Sequence, residues 1–307
     1  MKLYCSLTVF LFLLATTSCG VRIELAIPDN IQEYKDEMQR WRNDRIRSLT
    51  APEGWLSLVG LYWLSEGSHT VGASKNMDIV LESPAPGMLG RFTVKGDKVH
   101  FEAGGEAYVT SNGERFVEGP VFYDQSGNLT KLEFRSLVFY IIERQGRIGL
   151  RIKDTLSDNR FSLDSIPHYP LDTDYRVYAR IKATEKSRQV TVEDITGGSQ
   201  EYTVEAMLEF GLSGKAFSLA AFDGGKDHYF VIFKDNTNGD RSYGGGRYLY
   251  VSREPADNGL VILDFNQAIN PPCAFTDYAT CPIPPQENEL DIEIRAGEKY
   301  PIVYKER

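Results

Sequence analysis

With 307 residues the chain is long enough to bury a sizeable core, and 34 basic against 43 acidic side chains give it a formal charge of −9. That balance argues against nucleic acid as a partner, because phosphate recognition needs a basic surface. It also argues against broad electrostatic adhesion to anionic lipid.

The first 18 residues read as a signal peptide: Lys2 supplies a short positive region and residues 3–15 form an apolar run. That run is short of the ~20 residues a membrane-spanning helix needs. Thr16, Thr17 and Ser18 then lead into Cys19. The pattern resembles a bacterial lipoprotein signal, in which Cys19 is the lipidated residue. Thr16 stands where that pattern prefers Leu, so an ordinary secretory signal is the alternative. The lipoprotein reading implies a cell-envelope protein, anchored to a membrane outside the cytoplasm.

Residues 19–307 are expected to form a single β-rich domain, since no linker and no fixed-period repeat appears. Aromatic residues are abundant, and Gly and Pro are spread along the chain, which suits strands separated by many turns. Ile31, Tyr34, Met38, Trp41 and Leu49 recur at helical spacing, which predicts an amphipathic helix over about 30–48, with Asp29 as its cap. Residues 55–64, WLSLVGLYWL, are a buried strand or a short helix, and periodicity does not decide between them. From there to about residue 150, short strands alternate with turns at Gly96-Asp97, Asn112-Gly113 and Gln145-Gly146. Further strands are expected near 175–182, 189–194, 201–210, 217–222 and 228–234. The fold class is therefore mainly β, an antiparallel barrel or sandwich with an N-terminal amphipathic helix.

The most distinctive stretch runs from Phe233 to Pro285. Asp235-Asn236-Thr237-Asn238-Gly239-Asp240 lacks the ligands of a calcium loop, because Gly239 and Gly246 fall where side-chain oxygens are needed. It reads as an Asx-rich turn. Gly244-Gly245-Gly246 before Arg247 suggests either backbone amides approaching an anion or close strand packing. Cys273 and Cys281 are expected to form a disulfide closing a short, proline-flanked loop that walls a pocket. The histidines lie far from that pair in sequence, so no metal is expected. No G-x-S-x-G and no H-E-x-x-H occurs.

The run Phe233, Asp235, Thr237, Gly239, Tyr243, Gly244, Gly246, Arg247, Tyr248, Leu249 resembles the bacterial and archaeal domain-of-unknown-function family 1684. So do Leu263-Asp264-Phe265-Asn266, Asn270-Pro271, Cys273-Ala274, Cys281-Pro282, Pro284-Pro285 and Ala296-Gly297-Glu298, with Gly54-Trp55-Leu56 and Tyr169-Pro170 upstream. The resemblance implies no activity, cofactor or catalytic residue.

From the residues themselves, the expected function is binding of a small polar or anionic ligand by a lipid-anchored envelope protein. The expected ligand-binding residues are Arg247, His228, Asp235, Tyr243, Gly245, Asp264 and Asn266. Two other functions stay open: a hydrolase-type enzyme with an Asp/His pair, and a structural or assembly lipoprotein. No cofactor is indicated.

Overall fold

The computed structural model describes residues 24–82, 84–105, 107–124, 127–184 and 188–304. The signal segment and Cys19 lie outside the described residues.

The helix predicted near the N-terminus spans Ile31–Thr50. Its cap is Asn30, not Asp29. Asn30 is extended, and its Oδ1 accepts from the amides of Gln32 (3.0 Å) and Glu33 (3.2 Å), which the helix itself leaves unpaired. Pro52 disfavours helical backbone at Ala51, and the helix stops there. The buried face carries Tyr34, Met38 and Leu49.

Residues 55–64 combine both readings left open by the sequence. Trp55–Ser57 is one turn of 3-10 helix, and Leu58–Leu64 is a strand. That strand edges a six-stranded antiparallel sheet, followed in order by Arg147–Asp154, Leu137–Arg144, Leu132–Phe134, Thr110–Ser111 and Glu114–Arg115. A five-stranded sheet faces it, built on Gly67–Gly72, Gly90–Lys95 and Lys98–Ala103. Phe92, Phe101, Phe139, Leu150 and Ile152 fill the space between the two. Alternation places Ile148, Leu150 and Ile152 in this core and turns Arg151 to the opposite face.

The second half of the chain forms a nearly closed antiparallel sheet. Its order is Arg247–Ser252, His228–Asp235, Lys215–Asp223, Ala206–Leu212, Arg176–Ala183 and Val261–Asp264, and the first and last strands lie side by side. Val231, Phe233, Leu249, Phe210 and Phe265 fill its interior. Ile232, Tyr248 and Phe222 point outward, beneath the hairpin Gln189–Glu193 and Ser199–Thr203 and the loop that carries Cys281. The fold is thus mainly β, antiparallel and barrel-like, with one long N-terminal helix against it.

Candidate functional site

The residues singled out in the sequence do not share one site. Arg247 alternates with Leu249 and Val251, so it points into the barrel, where it is completely buried. Its Nη2 donates to Asp235 Oδ2 at 2.5 Å and to the Ile294 carbonyl at 2.9 Å. The guanidinium also lies 5.2 Å from the Phe233 ring centre. Asp235 Oδ1 accepts from the amides of Thr237 (2.8 Å) and Ile294 (3.1 Å), which makes it the head of the Asx turn expected from its sequence. The pair is enclosed and matched in charge, with the buried Arg247 Nε left without a partner among the described residues.

The triple glycine serves packing. Gly246 has φ +90°, and a Cβ there would stand 2.4 Å from Pro284 Cγ and 2.8 Å from the Phe233 carbonyl. A Cβ on Gly245 would meet the Tyr243 ring at 2.7 Å. Tyr243 donates to the Cys273 carbonyl at 3.2 Å.

Asp264 and Asn266 do come together, at the base of the helix. Asp264 Oδ2 accepts from Tyr34 at 2.7 Å, and Asn266 Nδ2 donates to Asp264 Oδ1 (3.0 Å) and to the Asp172 carbonyl (2.8 Å). Burial raises the Asp264 pKa against the opposing hydrogen bonds of Tyr34 and Asn266. These bonds dock the helix on the barrel.

His228 is exposed at the far end of the strand that ends in Asp235. They are seven residue steps apart along the strand, roughly 23 Å at about 3.3 Å per residue. No Asp/His pair forms there. Cys273 and Cys281 stand together as thiols, with the Cys273 amide donating to Cys281 Sγ at 3.0 Å.

Two polar assemblies escaped the sequence reading. The first lies in the seam between the helix and the barrel. Arg45 Nε donates to Glu298 Oε1 at 3.0 Å, and the Asn270 amide donates to Glu298 Oε2 at 2.6 Å. Burial raises the Glu298 pKa, and Arg45 opposes that rise. His168 pairs with Glu298 through the backbone, and its Nδ1 donates to the Ile166 carbonyl at 2.7 Å. Burial, then the charges of Arg42 and Arg45, lower its pKa to about 4.

The second assembly is a crevice of about 230 Å³ between the sandwich and the outer face of the barrel. Arg144, Gln145, Asp194, Tyr202, Thr280 and Pro282 line it. The cysteine loop therefore supplies one wall, through Thr280 and Pro282. Burial works against the Asp194 charge. Donation from Thr196, Gln145 and Gly198 outweighs it and holds the carboxyl below its ordinary pKa. Arg144 is bidentate on Asp124, at 3.0 and 2.6 Å.

Arg151 stands behind Thr280 and is only 3% exposed. Its Nη2 donates to Thr280 Oγ1 at 3.3 Å, and the guanidinium lies 5.8 Å from the Trp55 ring centre. Its Nε has no partner, and among the described residues no carboxylate reaches it. Arg147, on the same strand, is half-buried, donates to Thr196 at 2.8 Å and stacks on Trp63. The alternation of residues 149–154 was the available signal for Arg151. That its face is covered by the second half of the chain is visible only in the fold.

Residues 161–299 match the model of a family described as protein of unknown function, DUF1684. Among solved structures, the chain is similar to an uncharacterized protein from Haloarcula marismortui. The two are 34% identical, the match covers 47% of this chain and 80% of that one, and the TM-score is 0.38. A second match, 15% identical, is the FHA domain of the CT664 protein from Chlamydia trachomatis. It covers 31% of this chain and 93% of that one, with a TM-score of 0.21. No curated protein matches the chain.

Proposed function

The chain belongs to the family of unknown function DUF1684, and since membership brings no activity with it, we propose a function from the geometry: binding of a small polar or anionic ligand in the crevice backed by Arg151. The single observation that carries this reading is the buried guanidinium without an acid. Removing a charge from water costs several kcal/mol unless a counter-charge meets it. In Arg247 that need is met by Asp235. In Arg151 only neutral groups meet it, the hydroxyls of Thr280 and Tyr140 and the ring faces, and an anion entering beside Thr280 supplies the missing partner. Arg147 donates to Thr196, which in turn donates to Asp194 on the crevice wall.

The same reading keeps the protein at the cell envelope, tethered through a lipidated Cys19. The motif around residues 16–19 supports it. Among the described residues no helix is long and apolar enough to cross a membrane. Palmitate labelling of Cys19 checks the anchor, and an unlabelled mature protein refutes it.

The ligand is tested by native mass spectrometry of the gently purified protein, then by calorimetric titration with inorganic phosphate and with small carboxylates. Binding that is lost in Arg151→Met supports the site. If no anion binds and Arg151→Met is more stable than the parent, Arg151 is a structural cation and the reading fails.

A further inference from the structure

The two cysteines occupy a position whose chemistry reaches the crevice. Cys281 lies between Thr280 and Pro282, the two wall residues. Its carbonyl accepts the Ile195 amide at 3.0 Å, and the Ile283 amide donates to the Glu193 carbonyl at 2.7 Å. Pro282 also bridges to Asp194, the acid on the opposite side. Any displacement of Cys281 is therefore transmitted to both sides of the crevice. Around the pair the chain is stiff, with Pro271, Pro272, Pro282, Pro284 and Pro285 fixing the backbone.

The two sulfurs are not equivalent. Cys273 is half-buried, whereas Cys281 is buried. A hydrogen bond from Cys281 favours the Cys273 thiolate, against burial; the same bond, with burial, pushes the Cys281 thiol up. Cys273 is the sulfur an external disulfide reaches first, with Cys281 buried behind it, which is the arrangement of an attacking thiol beside a resolving thiol.

We propose that Cys273 and Cys281 are a thiol–disulfide exchange site in which Cys273 attacks a low-molecular-weight disulfide, Cys281 resolves the adduct, and the bond formed stiffens the crevice wall. In the first step the Cys273 thiolate bonds to one sulfur of the external disulfide and releases the other half as a thiolate. In the second, Cys281 loses its proton to solvent and bonds to Cys273 sulfur, releasing the second half. The protein pair is oxidised by two electrons, and one external disulfide becomes two thiols. Control of ligand binding through this bond rests on the crevice reading above; the exchange chemistry and the stiffening of the wall do not.

The full chain is treated with oxidised glutathione, and peptide mapping separates the pair from Cys5 and Cys19. The expected product is a Cys273–Cys281 bond, two hydrogens lighter than the reduced pair. Cys281→Ser is expected to trap glutathione on Cys273, while Cys273→Ser leaves Cys281 unmodified on the same timescale. Hydrogen exchange at the Ile195 and Ile283 amides is then expected to slow by roughly tenfold or more in the oxidised form. Glutathione appearing first on Cys281, or exchange at those amides unchanged by oxidation, overturns the proposal. Calorimetric titration with phosphate separates the two readings. Equal affinity in both redox states removes control of the ligand but leaves the crevice site standing, and absence of binding in both removes the crevice site, while the amide exchange still decides the switch.

Discussion

At the scale of single residues, the structure sorts charged side chains by whether a partner is built in. Arg247 and Asp235 form an ion pair in the barrel interior, so removing either leaves the other charged and buried. Arg247→Ala is expected to destabilise the protein by about 3–5 kcal/mol in urea unfolding, and an Asp235→Ala partner to cost a similar amount. The double variant is expected to cost clearly less than the sum, because the two acts remove one interaction. His168 gives the pH counterpart. Its folded-state pKa, about 4, lies below the ordinary 6.5, because burial and then Arg42 and Arg45 disfavour the imidazolium. Unfolding therefore takes up a proton below pH 6.5. The stability is fully present above that value and is lost as pH falls through about 4, by up to about 3 kcal/mol. Glu298, whose pKa is raised, and Asp264, likewise raised, act in the opposite direction, their contribution fading as pH rises above the ordinary carboxylate range. Comparing urea midpoints of the parent and His168→Gln at pH 7 and pH 4 isolates the histidine. The variant is expected to lose less stability across that interval.

At the scale of elements, the N-terminal helix and the glycine turn are the parts whose local chemistry has the clearest consequence. Asn30 satisfies two amides at the helix start, and Asn30→Ala is expected to cost about 1 kcal/mol, read as a lower thermal midpoint. Gly246→Ala is a harsher change. It forces a Cβ into the left-handed region and against Pro284 and the Phe233 carbonyl. A loss of about 2 kcal/mol or more is expected from denaturant unfolding, larger than that for Gly244→Ala, where the nearest atom is 3.8 Å from the built Cβ. The helix was readable because an amphipathic stripe repeats every three to four residues. The strand near 98–102 was readable from alternation bounded by turn formers, and that near 228–234 from a run of aromatic and β-branched residues between turn formers. The segment 55–64 was not, because an apolar run carries no period when both neighbours are apolar.

At the scale of the molecule, the crevice exists because two β assemblies press the Arg151 face of one against the cysteine loop of the other. A ligand that binds only this folded arrangement stabilises it by mass action, about 2.7 kcal/mol when its concentration is a hundred times Kd. Phosphate is accordingly expected to raise the melting temperature of the parent and leave that of Arg151→Met unchanged, as measured by scanning fluorimetry. An equal rise in both proteins would place the anion elsewhere on the surface.

The sequence by itself determined the β-rich class, the N-terminal helix, the Asx turn at Asp235 and the stiff loop around the cysteines. Each is set by neighbours within a few positions, through backbone torsions, capping and alternation. Only the tertiary structure decided that Arg247 points inward to an acid and that Arg151 is buried without one. Those outcomes depend on which face of a strand is covered, and that is fixed by residues more than a hundred positions away, such as Thr280 against Arg151. The residue types show which groups carry charge; the long-range pairing of the sheets determines which of those charges are answered.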